Sequence, residues 1–191
     1  MLDLGCGKVP FYNAYKPYVN EVTCIDWDNS YHKNIFLDMY CDLNTILPLK
    51  DGMYNTIILS DVLEHIKEPK LLWSEMYRIM SNDGILILNV PFFYWLHEEP
   101  HDYYRYTKYA LQEMANESGF EFIEFETLGG VPEIIADILA KTSIMVPRIG
   151  KLIAAVIQKV ASLFIRMKIG QRISKATRNQ FPFGYAIILK K

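Results

Sequence analysis

The chain lacks the features that mark secreted and disulfide-bonded proteins. It has three cysteines among 191 residues, and Cys6, Cys24 and Cys41 are too few and too far apart for a disulfide framework or a zinc knuckle. The N-terminus has no basic region followed by an apolar run, so no signal peptide is predicted. A cytoplasmic protein in a reducing compartment is therefore expected.

Acidic residues are missing from the C-terminal part of the chain. Residues 138–191 contain 11 basic and no acidic residues, whereas residues 1–137 contain all 22 acidic residues and 9 basic ones. A segment of one sign favours a partner of the opposite sign, here nucleic acid or an anionic membrane.

The longest apolar segment, residues 149–169, is too interrupted by charge to be predicted as a transmembrane span. At helical spacing, Lys151, Lys159 and Arg166 share one narrow stripe and most of the remaining surface is aliphatic, which disfavours nucleic acid. Two alternatives stay open for residues 147–178. In the first, they bind an anionic membrane surface, which would make the protein peripheral at the inner face of the membrane. In the second, they pack against the rest of the domain or against a dimer partner.

Strand patterns alternate with helix patterns along the whole chain. The predicted strands are residues 1–4, 21–26, 35–39, 54–60, 85–90, 120–127 and 185–189. The predicted helices are residues 11–18, 68–80, 108–119, 132–145 and 149–169. Thr107 is the expected N-cap of the third helix, and Gly119 is expected just after its end. This alternation predicts an α/β sandwich around a mostly parallel sheet.

A glycine turn follows the first strand. Gly5 and Gly7 stand where a ligand can approach the backbone, and Asp26 ends the second strand about 20 residues later, where a carboxylate can accept hydrogen bonds from ribose hydroxyls. Both features indicate a nucleoside cofactor. A dinucleotide is disfavoured because Pro10 stands where its fingerprint has a third glycine.

Four motifs in order resemble class I S-adenosylmethionine (SAM) dependent methyltransferases. They are LDLGCG, the acid Asp26 after the second strand, the acid Asp42 after the third, and DVLEH at residues 61–65. DVLEH and RIMSNDGILILNVP are most like the methyltransferase type 11, ubiquinone-biosynthesis-like branch. The resemblance implies a Rossmann-like, seven-stranded, mostly parallel sheet with an antiparallel last strand. It also implies SAM as methyl donor and S-adenosylhomocysteine as product.

The same resemblance implies a set of cofactor-binding residues, in which Asp26 holds the ribose and Trp27, Asp42 and Leu43 surround the adenine. The full set is Asp3, Gly5, Cys6, Gly7, Asp26, Trp27, Asp42, Leu43, Ser60 and His65.

The stretch HEEPHDYYRYT contains the H-E-x-x-H pattern of zinc proteases at His97, Glu98 and His101. A zinc helix would need continuous helix between the two histidines, and Pro100 opposes it because it lacks an N–H and clashes with the preceding turn. The segment is instead predicted to be a loop, and no metal site is expected.

Related methyltransferases carry an H-x-x-P-x-D-x-x-R-x-T loop over the methyl-accepting side, which His97 to Thr107 resemble. His97 and His101 are therefore candidate general bases for a hydroxyl acceptor. The candidate substrate-binding residues are Tyr94, Tyr103, Tyr104 and Arg105. An ion pair between Asp102 and Arg105 is the alternative role for that arginine.

The sequence predicts one methyltransferase domain over residues 1–191, with a helical, basic insertion at 131–178 and without the family's helix before the first strand. The expected function is methyl transfer from SAM to a small-molecule or lipid- or glycan-linked acceptor, at oxygen. The alternative is a weak or inactive methyltransferase-fold binding or assembly protein, because this fold hosts many functions.

Overall fold

The computed structural model describes residues 1–28 and 35–191. These residues form two compact units. The first comprises residues 1–91, 96–126 and 186–191, and the second comprises residues 92–95 and 127–185.

Seven strands form a single sheet in the order β3-β2-β1-β4-β5-β7-β6. The strands are β1 Leu2–Leu4, β2 Thr23–Asp26, β3 Met39–Tyr40, β4 Tyr54–Ser60, β5 Met80–Pro91, β6 Glu121–Leu128 and β7 Gly184–Lys190. β1 pairs in parallel with both β2 and β4, and β4 pairs in parallel with β5. Because the chain moves outward from β1 in one direction and then returns to β4, the switch point lies between these two strands.

The last strand runs against the others, as expected. The Lys191 amide, just after β7, donates to the Gly84 carbonyl near the start of β5. At the other end, the Phe92 amide just after β5 donates to the Phe183 carbonyl just before β7. The predicted seven-stranded sheet with an antiparallel last strand is confirmed.

The core of the first unit consists of the central strands and one amphipathic helix. Leu2 and Leu4 on β1 and Ile57 and Leu59 on β4 are fully buried, which is why these strands read as apolar runs. Helix α2, Pro69–Ile79, begins with a proline at its first position and buries Trp73 on its inner face.

The remaining helices of the first unit agree with the local signals. α1, Tyr12–Tyr15, continues into a 3₁₀ turn. α3 spans Lys108–Glu117, and the Thr107 hydroxyl accepts a hydrogen bond from the Ala110 amide, so the predicted N-cap is confirmed. Gly119 follows the helix with a φ of +90°, as expected of a glycine at that position.

The second unit contains three helices, α4 Val131–Ile144, α5 Gly150–Arg166 and α6 Lys168–Thr177. The helix predicted to run to residue 169 ends at Arg166, because Met167 is extended with a ψ of 148°. α6 lies within the predicted helical insertion at 131–178, but its separation from α5 was not predicted. Its Gly170 leaves no room for a side chain against the Phe164 carbonyl, so α6 can start close to the end of α5. None of the helices in the described ranges is long and apolar enough to cross a bilayer.

Two strand predictions differ from the structure. β3 contains only two residues, instead of the predicted five. β5 begins at Met80 instead of the predicted residue 85, so it includes the Asn82-Asp83-Gly84 segment. The β4–β5 register shifts between Tyr54 and Thr56, and Asp83 has a φ of +59°. Both features are typical of a strand that absorbs extra residues in a bulge.

Candidate active site

The glycine turn after β1 is held by backbone hydrogen bonds. The amides of Gly5 and Cys6 both donate to the Ile25 carbonyl, at 2.8 and 3.0 Å. Gly5 has a φ of +72°, and a Cβ atom built on it would lie 2.5 Å from a methyl group of Val62. Only glycine satisfies both the backbone angle and the packing at this position.

A cavity of about 360 Å³ lies at the carboxyl ends of the strands in the first unit. All ten residues that the sequence predicts to bind the cofactor line it. The lining residues that sequence reasoning missed are Lys8, Pro10, Phe11, Asn44, Asp61, Val62, Ile66 and Glu98. Six of these eight lie within three positions of a residue predicted to bind the cofactor, so the motifs located the region without specifying its full wall.

Asp26 is the most informative residue of the cavity. Its carboxylate is 8% exposed, and Oδ1 accepts a hydrogen bond from the Trp27 amide at 3.0 Å. Oδ2 is buried and has no hydrogen-bond partner within the described part of the chain. A buried acceptor of this kind carries a desolvation cost unless a ligand donates to it.

The neighbouring acids have partners within the protein. Tyr15 donates its hydroxyl to Asp3 Oδ2 at 2.7 Å, and burial raises the pKa of Asp3. Asp42 Oδ1 accepts from the backbone amide and the side-chain amide of Asn44, both at 2.9 Å. Asn44 Oδ1 in turn accepts from the Lys67 amide at 2.7 Å, so the segment after β3 is tied to the segment after His65.

The H-E-x-x-H stretch is not helical, as predicted. Of its residues, Glu98 lines the cavity, whereas His97 and His101 do not. His101 lies behind the cavity wall. Its ring contacts the ring of the lining residue Trp27 edge-on, at a centroid distance of 4.9 Å. Its Nδ1 lies 3.2 Å from the Tyr103 hydroxyl.

His97 meets His65 and Glu64 instead. The Nε2 atoms of the two histidines are 3.1 Å apart, and each lies 3.8 Å from Glu64 Oε1. Glu64 is 0% exposed, and neither carboxylate oxygen has a hydrogen-bond partner in the described residues. Burial raises the pKa of Glu64 to about 8. Sequence analysis gave Glu64 no role, and its position in the DVLEH motif beside His65 is the only signal that pointed to it.

Arg105 binds within its own loop. Its guanidinium makes paired hydrogen bonds to Asp102, with Nη1 to Oδ1 at 2.6 Å and Nη2 to Oδ2 at 2.8 Å. Burial alone would raise the pKa of Asp102, but the bonds from Arg105 and from the His97 amide lower it to about 2. The ion pair weighed as an alternative is therefore present.

The predicted substrate tyrosines are divided between the two units. Tyr103 and Tyr104 belong to the first, are partly exposed, and lie outside the cavity lining. The Tyr104 hydroxyl donates to the Lys67 carbonyl at 3.2 Å. Tyr94 belongs to the second unit, where the Lys141 ammonium lies 3.3 Å from its ring centroid. Tyr94 and Lys141 line another cavity, of about 320 Å³, in that unit.

The part of the chain that forms the first cavity is similar to a known family. Residues 2–88 match the family model described as a methyltransferase domain. An uncharacterised protein of Methanocaldococcus jannaschii is 32% identical over 90 residues, which cover 47% of this chain and 40% of that protein. The match therefore spans less than half the length of that relative.

Solved structures agree over the whole chain. A SAM-dependent methyltransferase from Archaeoglobus fulgidus superposes with a TM-score of 0.61 at 19% identity, covering 100% of this chain and 85% of that one. A [4+2]-cyclase, SpnF, superposes with a TM-score of 0.60 at 17% identity, covering 100% of this chain and 73% of that one. These structures confirm the predicted fold, and the match over residues 2–88 agrees with the predicted methyltransferase class. Residues 2–88 match the methyltransferase-domain family model, and the chain as a whole has the fold of class I SAM-dependent methyltransferases.

Proposed function

We propose that this chain binds SAM in the 360 Å³ cavity and transfers its methyl group to an oxygen of a small-molecule or lipid- or glycan-linked acceptor. The observation that carries the proposal is the buried, unpartnered Oδ2 of Asp26 beside the glycine turn. A ribose hydroxyl is the donor that such an oxygen lacks, and a carboxylate at the end of the second strand is where nucleoside-binding α/β sheets place it.

The surrounding residues fit the other parts of the same ligand. Trp27 and Leu43 supply apolar surface for an adenine ring, and Asp42 supplies a carboxylate for the amino group of that ring. The turn at Gly5 and Gly7 lets a ligand approach the backbone closely, because neither residue has a side chain in the way. When bound, SAM supplies an electrophilic methyl group on a sulfonium.

The protein's contribution to methyl transfer is mainly positioning. Holding two reactants at attack distance can supply on the order of 7–11 kcal/mol of the barrier. A hydroxyl acceptor also needs a base with a pKa near neutral. Of the two candidate histidines, His101 fits this role better because its ring contacts Trp27 on the cavity wall, whereas the His97 ring is directed at His65.

Replacement of His101 with alanine is expected to lower turnover by about 10²–10⁴ fold, the usual contribution of a general base. Formation of S-adenosylhomocysteine with a panel of hydroxyl-bearing acceptors measures turnover, and calorimetry measures SAM affinity separately. The expected result is a loss of turnover with little loss of SAM affinity. Unchanged turnover would remove His101 from this role.

A thermal-melt comparison tests the choice of cofactor. SAM at about 100 times its Kd is expected to stabilise the protein by about 2.7 kcal/mol, because a ligand that binds only the folded state shifts unfolding by mass action. NAD at the same concentration is expected to leave the midpoint unchanged. Stabilisation by NAD alone, or by neither compound, would contradict the cofactor assignment.

An alternative is a binding or assembly protein that keeps the fold without the reaction. A similar fold belongs to a [4+2]-cyclase, so the fold alone does not specify methyl transfer. The two functions differ in one measurement. The binding protein would be stabilised by SAM but would form no S-adenosylhomocysteine with any acceptor.

We also propose that the second unit attaches to anionic membrane surfaces through α5. One face of α5 packs through Gly150 and Ala154, while Leu152, Val156 and Val160 on another face are more than half exposed. The basic residues of this helix lie beside that exposed apolar stripe, and they are Lys151, Lys159 and Arg166. Basic residues near an anionic leaflet contribute about 1 kcal/mol each.

Co-sedimentation with vesicles tests this attachment. The wild type is expected to sediment with vesicles containing anionic lipid and to stay in solution with neutral ones. Changing Lys151, Lys159 and Arg166 to glutamate should abolish sedimentation. The same charge change at Lys16, Lys50 and Lys67, which are exposed in the first unit, is the matched control. Equal loss in both variants would mean that net charge, rather than α5, governs binding.

A further inference from the structure

Three side chains from two segments of the first unit direct their ligand atoms at one point. Glu64 and His65 follow β4, and His97 comes from the loop after β5. With 3.1 Å between the two Nε2 atoms and 3.8 Å from each to Glu64 Oε1, a point about 2.1 Å from all three atoms exists between them. This is the length of zinc–nitrogen and zinc–carboxylate bonds.

The other ring nitrogen of each histidine faces an acceptor. His65 Nδ1 lies 2.8 Å from the His101 carbonyl, and His97 Nδ1 lies 3.3 Å from Asp102 Oδ2. A carbonyl can only accept, so the His65 contact requires a proton on its Nδ1, and a proton on His97 Nδ1 would likewise face an acceptor oxygen of Asp102. Histidines that bind metals have this arrangement, because the acceptor orients the ring and presents the bare Nε2 to the metal.

The two facing Nε2 atoms are close enough to bind one positive centre between them. In the neutral rings both atoms carry lone pairs, which repel at 3.1 Å. A bound cation satisfies both nitrogens at once.

Glu64 is an independent indication of a ligand. It is fully buried, and both of its oxygens lack hydrogen-bond partners among the described residues. A buried carboxylate that is ionised and has no partner is strongly unfavourable, and a bound cation would compensate its charge. Its Oε1 is also the oxygen that faces the two histidine nitrogens.

We propose that Glu64, His65 and His97 bind a divalent transition-metal ion of the zinc type. Two imidazoles and one carboxylate suit Zn²⁺, Co²⁺, Ni²⁺ or Fe²⁺, whereas Mg²⁺ and Ca²⁺ take all-oxygen ligand sets. The side chains of His65 and His97 are 13% and 23% exposed, so a further coordination position is open to water. Of the H-E-x-x-H pattern, only His97 takes part, and its partners come from the DVLEH motif.

Metal binding is tested on untagged full-length protein that has been treated with a chelator and dialysed. Calorimetric titration with Zn²⁺ is expected to show one site per chain, and Co²⁺ is expected to give visible absorption that Zn²⁺ abolishes. Replacing His65 or His97 with alanine should weaken Zn²⁺ binding at least about tenfold. Even residues that only hydrogen-bond to a metal ligand usually cause a loss of this size when they are replaced. Mg²⁺ should not compete.

His101→Ala is the matched control, because it removes a histidine of the same loop but keeps the carbonyl that accepts from His65. It should bind Zn²⁺ like the wild type, and circular dichroism verifies folding of every variant. If Glu64→Gln does not fold, the more exposed His97→Ala still tests the site. The proposal is overturned by absence of Zn²⁺ binding, or by equal affinity in wild type, His65→Ala and His97→Ala. SAM binding is measured without metal, so its failure is a separate result.

Discussion

Replacing Asp26 with asparagine is expected to weaken SAM binding by about 10- to 100-fold. The carboxylate offers a charged acceptor whose Oδ2 has no partner in the described residues, and hydrogen bonds to charged groups contribute about 1.5–3 kcal/mol. Each 1.4 kcal/mol corresponds to a tenfold change in Kd. Asparagine keeps the shape and the oxygen that accepts from the Trp27 amide, but it removes the charge and one acceptor.

Calorimetric titration with SAM and with S-adenosylhomocysteine measures this change. Asp28→Asn is the control, because Asp28 is two residues further along, is exposed and does not line the cavity. Urea unfolding establishes that both variants are folded under the conditions of the titration. Equal affinities in Asp26→Asn and Asp28→Asn would show that the ribose does not contact Asp26, and the assignment of the cavity to SAM would lose its main support.

Replacing Gly5 with alanine is expected to destabilise the protein by about 2–5 kcal/mol. An alanine with a φ of +72° has about 1–2 kcal/mol of backbone strain, and overpacking adds about 1–3 kcal/mol. The overpacking arises because the new methyl group would lie 2.5 Å from Val62, which is part of the same cavity wall. SAM affinity should fall as well, because relief of the clash moves the turn or Val62.

Gly52→Ala separates the two contributions. Gly52 has a similar φ of +64°, but no atom lies within 4 Å of a Cβ atom built on it. Gly52→Ala should therefore lower the free energy of unfolding by the backbone strain alone, about 1–2 kcal/mol. The double variant Gly5→Ala with Val62→Ala should recover part of the loss. If Gly5→Ala and Gly52→Ala have the same free energy of unfolding, the contact with Val62 is not tight and the turn is more adaptable than its geometry indicates.

Much of the fold was predictable because local chemistry decides it. The buried runs of β1 and β4, the proline at the start of α2 and the Thr107 cap each act within a few residues. The same holds for the cofactor cavity. Its predicted residues follow directly after strands, and parallel strands bring their carboxyl ends to one edge of a sheet.

Other elements were not predictable from local pattern. The apolar spacing of residues 149–169 continues through Met167, where the chain nevertheless breaks between α5 and α6. The break depends on how Gly170 packs against Phe164, which is a contact between two helices. Likewise, Arg105 was a plausible ligand for an acceptor until its paired bonds to Asp102 were visible.

The sequence by itself determined the α/β class, the glycine turn, the acid at the end of β2 and the loop character of the H-E-x-x-H stretch, since Pro100 acts locally. Only the tertiary structure decided that His97 leaves this pattern and meets Glu64 and His65, more than 30 positions earlier. Sequence periodicity specifies which face of an element is buried. It does not specify which side chains from different strand ends meet, because that depends on how the sheet brings those ends together.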